Sequence, residues 1–509
     1  MKKLSQKYIL KVILTATIYF LIHNTAFSQD KIIKYEIESQ TITTTKAQVP
    51  FWMRSNQFSS IPLSGISQSF IASIYKDVNS STTDDSLYVK RKLISWGFGF
   101  QGRANLGKGT NMQVIEGFGK IRIGVINLTV GRTKNVMGLN GDTTLSSGNF
   151  AVSGNAPGIP GLELSVPDYY ILPIFKGILS IKGNFVHGWV GRQKINNSVS
   201  ENYSPVTYFH QKSLYARIGK AGWKFKAYVG FNHQAYWGNE QAAYGTNFKL
   251  SKIKTFYYVL TGKRYGALGV PNSKIGNQLG SVDMGIEYNF NDITIMLYRQ
   301  NFYDVGALSK LANIADGLNG ITITNKNFNK KSGIFKWEKV LGEFFYSKNQ
   351  AGYPWSTRTA SGDEDYYNNF YYGDGWSYKG IGLGNPLITK TTDARAGQAQ
   401  YGNDYFINNR VIAIHLGLEG AVNDWSFLTK MTYSSNSGTF GTSEFGHSLG
   451  NIRSPESSNI FKNVKQFSFY IESMKPLNRG LSTGFATSFD QGKLLNNSLA
   501  LIIKLKKSF

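Results

Sequence analysis

Between Ser213 and Asn232, apart from the turn at 219–222, every second side chain is apolar, and this alternation constrains the fold more than any other feature of the chain. Leu214, Ala216 and Ile218 alternate with Ser213, Tyr215 and Arg217. After the turn residues Gly219-Lys220-Ala221-Gly222, Trp223, Phe225, Ala227, Val229 and Phe231 alternate with Lys224, Lys226, Tyr228, Gly230 and Asn232. Successive strand side chains point to opposite faces, so this hairpin has one apolar, aromatic face and one polar, basic face. A soluble sheet would turn the apolar face to its core; a transmembrane barrel would turn it to lipid.

The rest of the chain decides between them. Trp96, Phe98 and Phe100 alternate with Gly97, Gly99 and Gln101. Similar segments surround Met284, Leu416, Phe427 and Phe469, and each has about the ten residues that a tilted membrane strand needs. The opposite faces carry Lys182, Arg217, Lys224, Lys226, Asp283, Glu287 and Glu419. A packed core does not accept that many charges, whereas a barrel lumen does. Some connections are tight, as at Asn289–Asp292 and Ala421–Asp424, while 348–408 is long and aromatic. That asymmetry is expected of an outer-membrane barrel. Leu499, Leu501, Ile503, Leu505 and Phe509 share one parity, with Lys507 able to snorkel. A terminal aromatic of this kind resembles the signal that barrel-assembly machinery reads.

Lysines 2, 3, 7 and 11 flank an apolar run from Val12 to Ile22, and Ala26 and Ser28 precede a cut before Gln29. Residues 1–28 read as a cleaved Sec signal peptide. Residues 29–66 read as a polar periplasmic or plug segment, and 67–509 as an all-β transmembrane antiparallel barrel. Leu308, Leu311, Ala315 and Leu318 predict a short helix over 306–320, inside the barrel or at its rim. There are no cysteines, so no disulfide staples the fold. The formal charge of +25 suits contact with acidic lipopolysaccharide, polysaccharide or phospholipid better than with nucleic acid.

Motifs that suggest chemistry dissolve on inspection. Gly97, Gly99 and Gly102 fit a dinucleotide fingerprint but lie within an alternating strand. The stretch from Gly102 to Gly109 is one residue short of a phosphate-binding loop and lacks its hydroxyl. The histidines show no ligand spacing, so no metal or cofactor is expected. Asp363, Glu364 and Asp365 would need a defined separation to act as glycosidase carboxylates, and no catalytic residue is assigned. Loop 353–384 crowds Tyr353, Trp355, Tyr366, Tyr367, Phe370 and Trp376 beside Asn368, Asn369 and Asp374. Such rings can cover sugar faces or pack on one another.

Seven stretches together resemble the capsule assembly Wzi family, in its Bacteroidetes branch. They are PFW (50–52), PVTYFHQKSLYARIG (205–219), GFNHQAYWG (230–238), GNQLGSVD (276–283), DGL (316–318), DYYNN (365–369) and GNP (384–386). The resemblance implies an outer-membrane barrel of about eighteen strands with a plugged lumen. It further implies a lectin-like role in holding capsular polysaccharide at the cell surface. The candidate polysaccharide-binding residues are His233, Tyr236, Trp237, Tyr366, Tyr367, Asn368 and Trp376. Arg217, Lys224 and Lys226 are expected as a basic lumen cluster that attracts anions or pairs with Asp283 and Glu287. The expected protein is a non-enzymatic monomer, with surface polysaccharide and outer-membrane lipid as partners. The alternative is a channel for anionic solutes.

Overall fold

The computed structural model describes residues 33–46, 48–78, 93–107, 110–139, 141–196, 206–304, 307–329, 333–356, 362–402, 404–449, 452–453 and 459–509. The expected signal peptide lies outside the described residues. Eighteen strands form one sheet. The first six are β1 (Lys34–Thr44), β2 (Ser67–Lys76), β3 (Ile94–Gly107), β4 (Asn111–Ile123), β5 (Ile126–Arg132) and β6 (Gly161–Ile171). The next six are β7 (Leu179–Gly191), β8 (Thr207–Ile218), β9 (Phe225–Trp237), β10 (Asn277–Asn289), β11 (Ile293–Asp304) and β12 (Gly317–Asn325). The last are β13 (Phe335–Tyr346), β14 (Val411–Val422), β15 (Trp425–Asn436), β16 (Val464–Pro476), β17 (Leu481–Gly492) and β18 (Ser498–Ser508).

Each strand pairs antiparallel with its sequence neighbour, and β1 pairs with β18, Glu36 opposite Ser508 and Thr44 opposite Ala500. The sheet therefore has no free edge, the condition for backbone to cross hydrocarbon. The alternation is satisfied as expected of a membrane barrel. Phe225, Val229, Phe231, Ile414, Leu416, Leu501 and Ile503 are exposed on the outer wall. Their neighbours of opposite parity line the lumen. The GxGxxG glycines lie inside β3, with no helix following. No described helix is long and apolar enough to cross a membrane.

Two expectations need correction. The segment 29–66 is not all plug: β1 belongs to the barrel and closes it, and the lumenal part begins after Thr44. The helix expected over 306–320 is a single 3-10 turn, Ala307–Lys310, followed by β12 from Gly317. The i, i+3 spacing is real, but Gly317 and Gly320 carry little helix propensity and pair with Tyr346 and Glu343 in the sheet.

At one end of the barrel the connections are mostly two to nine residues long, 77–93 excepted. At the other lie 45–66, 133–160, 238–276, 347–410 and 437–463. The long-loop end is the outward end in barrels of this kind. Three of these loops turn into the lumen and pack together. Helix α1 (Phe51–Arg54) is wholly buried, and Trp52 donates its indole N–H to Thr432 at 2.9 Å. Phe150, from 133–160, stacks on Phe302 at 4.3 Å between ring centres. Tyr366, Tyr367, Trp376 and Phe406, from 347–410, complete the cluster. Gly384 is required there: a β-carbon would sit 2.0 Å from both the Phe150 carbonyl oxygen and the Tyr367 hydroxyl.

Candidate functional site

Above this plug, at the long-loop end, four separate loop segments enclose an outward cleft of about 820 Å³. Residues 194–196 are tied to 371–373 by backbone hydrogen bonds, Asn196 N–H to the Tyr371 carbonyl at 2.7 Å and Gly373 N–H to that of Lys194 at 2.8 Å. The cleft is faced by Phe370, Tyr371, Tyr401 and Tyr405, with Asn196 and Asn369 between them. Phe370 is 57% exposed, a large apolar ring offered to solvent. Asp365 and Tyr367 adopt left-handed backbone, φ 48° and 72°, which turns consecutive side chains of 365–368 into the protein.

One wall of the cleft is ionic. His447 contacts Asp363 through Nδ1 and lies 3.9 Å from Asp365 through Nε2. Asp363 also accepts the Ser448 backbone N–H at 3.0 Å and the Ser448 hydroxyl. Asp365 accepts from Asn409 at 2.6 Å and from Asn368 at 3.2 Å. Burial alone would lower the His447 imidazole. The Asp363 hydrogen bond and the charges of Asp365, Asp363 and Asp404 outweigh it and push it up to about 9. Burial, then the charge of Asp365, pushes the Asp404 carboxyl up to about 8. The cluster is thus a fixed array of acceptors and donors beside aromatic faces, suited to hydroxyl-rich ligands.

The residues expected from sequence are dispersed. Tyr236 does lie beside loop 353–384, its ring 4.5 Å from that of Trp376. Yet Tyr236, Tyr366, Tyr367 and Trp376 are at most 1% exposed and belong to the plug. Tyr366 donates to Asp316 at 2.7 Å, and Trp376 donates to the Ala151 carbonyl at 2.8 Å. Asn368 borders the cleft, but its amide is consumed in a reciprocal pair with the backbone of Phe406, at 2.9 and 3.0 Å. His233 and Trp237 share the odd parity of Phe231 and so sit on the outer wall, away from the lumen.

The basic cluster also separates. Lys226 pairs with Glu287 at 3.3 Å. The Arg217 guanidinium lies 5.1 Å from the Tyr169 ring centre. Lys224 is exposed in the turn before β9, outside the lumen, because the strand begins only at Phe225. Asp363 and Glu364 face opposite ways, the latter accepting from Asn313 and the Ala307 amide at 3.1 Å. Lys194, Tyr401, Asp404, Tyr405 and His447 were missed, since no local pattern links positions so far apart.

No family model matches the chain, and no curated protein matches it. Among solved structures it is similar to Wzi, an outer membrane protein involved in group 1 capsule assembly in Escherichia coli and described as a carbohydrate binding β-barrel. The TM-score is 0.51 at 11% identity, over 92% of this chain and 83% of that one. OprD of Pseudomonas aeruginosa gives 0.43 at 8% identity, over 94% of each chain. OccAB4 of Acinetobacter baumannii gives 0.43 at 10%, over 94% of this chain and 99% of its own. The fold is that of outer-membrane barrels. The closed sheet and the apolar outer wall are what that environment requires.

Proposed function

We propose that this barrel binds surface polysaccharide, of the capsular type, in the outward cleft and holds it at the cell surface without acting on it. The carrying observation is the cleft itself: the exposed Phe370 ring and half-buried tyrosine rings beside amides and carboxylates, mounted on a plug whose Tyr366, Tyr367 and Trp376 are already hydrogen-bonded. Flat rings cover the apolar faces of sugars, while Asn and Asp side chains take their hydroxyls. The fold likeness to a carbohydrate binding barrel supports the reading. So does the resemblance of the sequence to the Wzi family. Placement in the outer membrane after removal of a Sec signal belongs to the same proposal. The test is binding of the producing strain's purified surface polysaccharide to detergent-folded protein. Saturable binding, lost in Phe370→Ala/Tyr371→Ala, supports the proposal; absence of binding to the intact protein overturns it.

A second reading has its own observation. Below the plug a lumenal vestibule of about 630 Å³ is lined by Arg103, Lys134, Lys430 and Lys504 among several carboxylates. A channel for anionic solutes would use it. Steady anion-selective current through the intact protein in planar bilayers would favour that reading; current appearing only after the plug is broken would not.

A further inference from the structure

The loop between β9 and β10 carries a helix that faces away from the cleft. From Gln241 to Val282 the chain has no acidic residue, yet it holds Lys249, Lys252, Lys254, Lys263, Arg264 and Lys274. After the short α2 (Glu240–Tyr244), helix α3 (Lys252–Thr261) packs on the outside of the barrel wall. Val259 is buried. The Phe256 ring centre lies 5.2 Å from that of Trp237 and 5.5 Å from that of His210, both on the outer parity of their strands. Lys212, on the same wall, donates its ammonium to the Leu260 carbonyl at the end of the helix. Lys212 is paired with His233, and the next outward-facing pair toward the short-turn end is Leu214 with Phe231, 57% and 44% exposed. Two strand residues span about 7 Å. Helix α3 therefore rests immediately above the apolar belt.

The free side of the helix is amphipathic in a second sense. Ile253 and Tyr257, one turn apart, are exposed, and Leu268 at the tip of the following hairpin is almost fully so. Around them Lys249, Lys252, Lys254, Lys263 and Arg264 are exposed, and none forms an ion pair among the described residues. Lys263 lies 5.0 Å from the Tyr257 ring centre. Lysines in the first turn oppose the helix dipole, so Lys252 and Lys254 do not serve the stability of the helix. Between α3 and the wall is an outward cleft of about 210 Å³, lined by Tyr208, Trp237, Phe248 and Leu250 with Lys252 at its edge. Glu240 also borders it, but its carboxylate accepts the Gly238 N–H at 3.0 and 3.1 Å.

We propose that this face of α3 and its hairpin is a binding site for a phosphorylated, acyl-bearing lipid of the outward leaflet. The lysines engage the phosphates, and Ile253, Tyr257, Leu268 and the narrow cleft engage the upper acyl segments. Basic and apolar groups side by side on a surface helix at the headgroup level fit an anionic lipid. An acidic polysaccharide would use the lysines and leave the apolar residues without a partner.

The experiment uses the full protein in non-ionic detergent, incubated with bis-phosphorylated lipid A and separated from free lipid by size exclusion. The expected result is stoichiometric retention of that lipid and poor retention of phosphate-free lipid A. The variant Lys249→Gln/Lys252→Gln/Lys254→Gln/Lys263→Gln should retain at least tenfold less, and so should Ile253→Gln/Leu268→Gln. Phe370→Ala should retain as much as wild type. Should the fourfold variant fail to assemble, Lys252→Gln/Lys254→Gln carries the same expectation with a smaller drop. Equal retention by wild type and lysine variants, equal retention of the phosphate-free lipid, or displacement by soluble acidic polysaccharide overturns the assignment.

Discussion

The aromatic residues of segment 362–378 fall into two groups, one deep and one outer, with opposite fates. The deep group sets Tyr366, Tyr367 and Trp376 into the lumen, where Tyr366 and Tyr367 bond to Asp316 and the Phe150 carbonyl and Trp376 to the Ala151 carbonyl. The outer group leaves Phe370 and Tyr371 facing the cleft, against Asn196, Lys194 and the far wall of Tyr401 and Tyr405. A ring whose polar atom is bonded inside, and whose faces are stacked, has nothing left to offer a ligand. Aromatic abundance therefore does not tell a sugar platform from a plug. Saturation of hydrogen bonds and of ring faces does.

The comparison breaks hardest at the deep group. Trp376→Ala removes a ring stacked near Tyr236 and Phe209 and a buried hydrogen bond. The expected local cost is about 3–5 kcal/mol. Gly384→Ala should act alike through the clash at Phe150 and Tyr367. Both barrels should keep the heat-resistant mobility of a folded sheet on gels while hydrogen exchange across 366–386 accelerates and bilayer current appears. Unchanged exchange would show that the plug does not depend on this cluster. In the outer group, Phe370→Ala or Tyr371→Ala should weaken polysaccharide binding about tenfold, roughly 1.4 kcal/mol, with the thermal transition unmoved. A loss of stability without loss of binding would place these rings with the plug.

The barrel was legible because its signal is periodic. Most strands repeat the same two-residue alternation, and charges on the second face of the 223–232 and 282–288 segments exclude a soluble core. Parity even assigned the outer wall. The site was legible only as a composition. Whether Tyr366 or Phe370 meets solvent depends on left-handed steps at Asp365 and Tyr367, which neither residue type announces. His447 and Asp404 meet only through loop packing. The segment at 34–44 was passed over because Glu36, Glu38 and Gln40 hide a strand whose outer parity is Ile37, Ser39 and Thr41.

The ionic wall sharpens the contrast in another way, through pH. His447, held up to about 9 against an ordinary 6.5, contributes stability that is complete below about pH 6.5 and is lost as pH rises through 9. Asp404, held up to about 8 against 3.8, acts in the same direction, since the folded loops keep a proton that the unfolded chain releases. The folded mouth binds more protons than the unfolded one over this range, so it should loosen toward alkaline pH. Proteolysis of the 437–448 segment should speed up between pH 7 and 9.5, and His447→Gln should flatten that dependence. Equal acceleration in the variant would remove His447 as the cause.

The smallest effect separates two neighbouring lysines of one hairpin. Lys226 reaches into the lumen to Glu287, which also accepts from Tyr228 at 2.9 Å and Asn289 at 2.6 Å. Lys226→Met removes one partner of a carboxylate that keeps two, so about 1 kcal/mol of barrel stability should be lost. Among the described residues Lys224 contributes only its backbone carbonyl, which accepts the Asn289 N–H at 2.7 Å and survives any side-chain change. Lys224→Gln should fall within about 0.5 kcal/mol of wild type in urea unfolding from detergent. If the two variants cost the same, the boundary of the strand at Phe225, and with it the division between lumen and turn, is drawn in the wrong place.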